Sequence, residues 1–80
     1  MSTRETRLFN LRRAIDAAGD VQALRAALGV THQAIYHYKR IGYVPLARAL
    51  DIERLYGVPA RNLVSPKLLS AVDRIAASAN

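Results

Sequence analysis

Eighty residues fit one domain, 1–80, with a small core, and dimerisation often supplements the thin stability margin of a core that size. Twelve Lys and Arg stand against six Asp and Glu, a net charge of +6, and ten of the twelve are Arg, so a polyanion is the natural partner. The absence of cysteine excludes disulfides and thiolate metal sites. The two histidines, His32 and His37, are five apart rather than the three or four that stack side chains on one helix face, which argues against a histidine metal site.

The chain reads as short helices punctuated by Gly, Pro and small polar residues, with no alternating strand pattern, so the expected fold is all-α: a compact bundle of about five to six short helices. A first helix is predicted over Arg4 to Ala18. Ser2 with Glu5 suggests a capping box, Leu8, Leu11, Ile15 and Ala18 form its inner face, and Gly19 ends it. Asp20 caps a second helix, about Val21 to Ala27, with Leu24 and Leu28 inward. Leu28-Gly29-Val30 is a tight turn. Thr31 caps a third helix that runs to Arg40 or Ile41 and is closed by Gly42. Pro45 suits the first position of a fourth helix, whose apolar face is Leu46, Ala49, Leu50, Ile52 and Leu55 and whose end is Gly57. Pro59 opens a short fifth helix to about Leu63. Ser65-Pro66 starts a last one, about 66–77, with Leu68, Leu69, Val72, Ile75 and Ala76 on its apolar side.

No apolar run approaches the ~20 residues that span a bilayer, and MSTRETRLFNLRR lacks the apolar core of a secretion signal. The expected location is the cytoplasm, with no membrane partner.

The most informative stretch is 20–40, DVQALRAALGVTHQAIYHYKR. Leu24, Leu28, Val30, Ile35 and Tyr38 are spaced to bury the facing sides of two short helices. His32, Gln33, Tyr36, His37 and Arg40 then point outward. In a basic chain this is the layout of a helix-turn-helix, about 20–41, whose second helix lies in the DNA major groove. Gln33 can pair with adenine through its amide, His32 can donate to guanine or a phosphate, and Tyr36 offers a ring for a thymine methyl. His37 lies at the edge of the same surface. His32, Gln33, Tyr36 and His37 are therefore the expected base readers. Gln22, near a helix N-terminus, with Thr31, Lys39 and Arg40, are the expected contacts to the DNA backbone. Arg4, Arg7, Arg12, Arg13, Arg48 and Arg54 are further candidates for phosphate, with ion pairing to Asp51 or Glu53 the competing use of Arg48. Each of these side chains also has the plainer reading of a solvated or locally packed surface group.

No catalytic constellation is present. The serines have no His–acid partners nearby in sequence, the carboxylates are scattered, and the glycines stand alone at predicted helix ends instead of forming a phosphate loop. Neither an enzyme, a metal site nor a cofactor is expected.

ALGVTHQAIYHYKR followed by GYVPLARALDIERLYG resembles the helix-turn-helix of lambda-repressor-like proteins, the superfamily of the phage CI and Cro repressors. It is most similar to Cro-type and YdaS-like regulators. The likeness spans roughly residues 8–66. Gly29 falls at the turn glycine, Thr31 at the cap, and Ile35 and Tyr38 at the buried positions of the reading helix. The resemblance implies that His32, Gln33, Tyr36 and His37 occupy common base-reading positions, and that Gln22 and Arg40 often touch the backbone. One departure is Arg25, where the family usually carries a small residue. A long side chain there must snorkel outward or the helices must shift.

The expected function is sequence-specific binding of double-stranded DNA by a phage or prophage Cro-type repressor. Such a protein occludes a promoter at a palindromic operator and is a homodimer at least on DNA. The alternatives are a YdaS-like antitoxin, which binds a toxin and represses its own operon, and a helical bundle that binds protein alone.

Overall fold

In the computed structural model, which describes residues 3–68, every regular element is helical. Four α-helices follow one another: α1 (Arg4–Ala18), α2 (Val21–Leu28), α3 (His32–Ile41) and α4 (Leu46–Tyr56). A single 3₁₀ turn, Ala60–Asn62, comes after them. Residues 66–68 are again helical, and the Ser65 hydroxyl accepts from the Leu68 amide at 3.3 Å, as expected of a cap. The rest of the expected last helix, with Leu69, Val72, Ile75 and Ala76, lies outside the described residues, as does Ser2. No helix among the described residues is long and apolar enough to cross a membrane.

The starts of α1, α2 and α3 are each set by a single side-chain oxygen. α1 is capped by Thr3, whose hydroxyl accepts from the Thr6 amide at 3.1 Å, and not by the capping box expected at Ser2 and Glu5. Asp20 accepts from the Ala23 amide at 2.8 Å and Thr31 from the Ala34 amide at 3.2 Å. Each cap satisfies an amide that the first turn leaves without a carbonyl. Pro45 stands one place earlier than expected. It is the N-cap residue of α4, with ψ 147°, and Leu46 is the first helical residue.

The core is built from all four helices and the segment after them. Leu11 and Ala14 come from α1, Leu24 and Leu28 from α2, Ile35 and Tyr38 from α3, and Ala49 and Ile52 from α4. Val44, Val58, Ala60, Leu63 and Val64 complete it. Val30, Ala34 and Leu68 pack against its edge. The Val44 amide donates to the Leu63 carbonyl at 2.8 Å, which ties the α3–α4 connection to the 3₁₀ segment.

Two expectations for α4 fail. Leu50 and Leu55 are 48% and 42% exposed, not part of its inner face. At roughly 100° per residue, Leu46, Ala49, Ile52 and Tyr56 make one inward stripe, and positions 50 and 55 fall on either side of it. The first helix behaves similarly. Leu11 and Ala14 are its deepest apolar residues, Leu8 and Ile15 are half-buried, and Phe9 is 62% exposed. The buried polar residue of α1, Asn10, donates its amide to the Thr6 carbonyl at 2.7 Å, one turn back.

Candidate nucleic-acid interface

α2 and α3 meet across a turn that local chemistry determines. Gly29 has φ +70°, left-handed space that favours glycine. Its amide donates to the Ala26 carbonyl at 3.3 Å, and the Val30 amide to the Arg25 carbonyl at 3.0 Å. Together these are the paired bonds of a Schellman ending. Two residues later Thr31 starts α3. Arg48 of α4 reaches the same corner, donating to the Leu28 carbonyl at 3.0 Å while it pairs with Asp51 at 3.2 Å. The local use foreseen for Arg48 is therefore the one observed.

With Ile35 and Tyr38 turned into the core and Ala34 against its edge, α3 presents its polar side chains outward. His32, Gln33, Tyr36, His37, Lys39 and Arg40 are all exposed, Tyr36 by 53% of its surface. Helical spacing arranges them in two adjacent rows, 32–36–39 and 33–37–40. In the first row the rings of His32 and Tyr36 meet edge to face, with centroids 6.3 Å apart, and the Lys39 ammonium lies 5.6 Å from the Tyr36 ring centre. In the second row the Arg40 guanidinium is 3.1 Å from His37 Nδ1. A guanidinium only donates, so Nδ1 accepts and the ring proton falls on Nε2. His37 is thereby a donor toward anything it meets through Nε2.

All eight residues singled out from the sequence lie on α2, α3 or the α3 cap. Six form the two rows, and Thr31 sits at their N-terminal end. Gln22 stands apart on the first turn of α2, exposed, with Oε1 accepting from Arg25 Nε at 3.2 Å. That bond leaves the Gln22 amide nitrogen as the donor. It also shows where Arg25 goes: the side chain is half-buried and its head ends beside Gln22, so it runs outward along α2.

Two residues have a role that spacing does not reveal. Arg4 donates to the Arg40 carbonyl at 2.7 Å, and Arg7 Nε donates to the Gly42 carbonyl. Both are among the six arginines that the sequence leaves as candidates for phosphate, and both are hydrogen-bonded to the C-terminal end of α3. They are 36 and 35 residues distant in sequence from their partners, too far for any local pattern to register.

This surface can offer donors of several geometries. It carries an amide, two imidazoles, a phenol, an ammonium and a guanidinium along one helix, in a chain of net charge +6. Among the described residues no group of three His, Asp or Glu side chains is placed to hold a metal ion. No family model matches the chain, and comparison with curated proteins and with solved structures finds no match.

Proposed function

We propose that this chain is a sequence-specific DNA-binding transcriptional regulator of the lambda-repressor-like kind its sequence resembles. It lays α3 in the major groove of a palindromic operator and blocks a promoter in the cytoplasm of a bacterial host. The observation that carries the reading is the division of α3. Ile35 and Tyr38 are sealed in the core, while six side chains able to contact bases or phosphates share the opposite surface. The +6 charge supports it, because phosphate neutralisation supplies most non-specific affinity for a duplex.

In this reading Gln33, His32, Tyr36 and His37 meet base edges. Lys39, Arg40, Thr31 and Gln22 hold phosphates on either side. A second copy related by a two-fold axis reads the other half-site, about one DNA turn away at ~34 Å.

Selection of bound duplexes from a random pool tests the proposal directly. The expected outcome is a palindrome with half-sites about ten base pairs apart. Enrichment of nothing beyond random sequence overturns it. On the selected operator, Gln33→Ala should cost about 1–3 kcal/mol and relax preference at one base pair, with little change on random DNA. An equal loss on both duplexes removes Gln33 from the base readers.

A further inference from the structure

The C-terminal end of α3 is fastened by the first helix. An α-helix leaves its last carbonyls without intrahelical donors. Here the Gly42 amide returns to the Tyr38 carbonyl at 2.9 Å, the single bond of a left-handed ending. The neighbouring carbonyls of Arg40 and Gly42 are taken by the guanidiniums of Arg4 and Arg7. Arg4 also packs closely against Gly42. A methyl group built on that glycine would stand 2.7 Å from Arg4 Nη1 and 3.1 Å from Arg4 Cγ, so the bare glycine backbone is what lets the arginine approach. Gly42 is buried and has φ +84°. Positive charge at this end also favours the α3 dipole.

We propose that Arg4 and Arg7 are positioning residues that fix the attitude of α3 relative to the body of the protein, so that discrimination between DNA sequences depends on two guanidiniums that touch no base. The inference rests on the DNA-binding reading of α3. Its physical basis is tolerance. A hydrogen bond to a base edge has to be met within about half an ångström, whereas a phosphate contact by a long basic side chain adapts. The start of α3 is held close to α2 by a three-residue turn. Its other end, carrying Lys39 and Arg40, is held by Arg4 and Arg7. With those bonds removed, Ile35 and Tyr38 still seat α3 in the core, but its last turn loses its outer restraint and can shift by the fraction of an ångström that base contacts do not tolerate, while its cationic residues still reach a phosphate backbone.

The test compares wild type with Arg4→Met/Arg7→Met, which keeps the apolar stems, on the selected operator and on a random duplex over a range of salt. The expected result is a roughly tenfold loss on the operator, with random-duplex affinity within about threefold of wild type. The slope of log affinity against log salt stays unchanged. A slope flatter by about 0.9 per arginine means that the two residues neutralise phosphates, and overturns the positioning role. Equal losses on both duplexes, or no loss, also overturn it. Circular dichroism checks that the double variant folds. If it does not, Arg4→Met alone, a change at an exposed side chain, should lose about threefold on the operator with random-duplex affinity and salt slope unchanged, and an equal loss on both duplexes overturns the role. A wild type that selects no sequence removes the DNA reading itself, whereas a selected operator bound equally by the variants removes only the inference.

Discussion

At its start, α3 is closed by residues that adjoin it in the chain. Thr31 caps it with its own hydroxyl, Gly29 turns the backbone into left-handed space, and nothing lies within 4 Å of the position a Gly29 side chain would take. At its finish, the closing groups come from α1, some 35 residues away, and the glycine there is covered by an arginine. One end is a matter of backbone conformation and a single oxygen. The other depends on the whole domain having assembled. A glycine followed by a threonine means much the same in any chain, whereas Gly42 has its full meaning only with Arg4 in place.

Substitutions at the two ends, set against one at the middle, sharpen the contrast. The largest effect belongs to the middle: Ile35, fully buried, anchors α3 to the core, and Ile35→Ala should cost about 2–5 kcal/mol of unfolding free energy by denaturant titration. For so small a domain that is much of its stability. The next is Gly42→Ala. It combines left-handed strain of about 1–2 kcal/mol with displacement of the exposed Arg4 side chain from its carbonyl, so it should cost more than Gly29→Ala, which suffers the strain alone and stays near ~1 kcal/mol. Equal losses at the two glycines would erase the distinction between the ends. The smallest is Thr31→Ala, about 1 kcal/mol for the lost cap, read as a modest fall in melting temperature. A loss as large as that of Ile35→Ala would show that Thr31 does more than cap.

What was legible in the sequence follows the same division. The extents of α1 and α3, the Asp20 and Thr31 caps and the turn at Gly29 are encoded within three or four residues. The outward row on α3 is readable for a related reason, because Ile35 and Tyr38 fix which side faces the core and helical spacing then assigns the rest. The deeper register of α4 was not readable. Leu50 and Leu55 have the same chemistry as Leu46, and only the position of the other helices decides that the stripe through Ala49 and Ile52 is the one buried. The duties of Arg4 and Arg7 were illegible for the same reason, since an arginine on a solvated turn and one on a distant carbonyl look identical in a string of letters.

The excess of arginine over lysine in this chain has an architectural side. Arg4, Arg7 and Arg48 each deliver a guanidinium N–H to a carbonyl at or next to the end of another helix, and Arg48 grips Asp51 at the same time. A guanidinium offers five donors on a rigid plane, able to lie against backbone and bond sideways at once, and an ammonium has no such plane. Part of the cationic character of this chain is therefore mortar between its own helices. Exchanging these arginines for lysines would preserve every charge while loosening the joints that hold the bundle together.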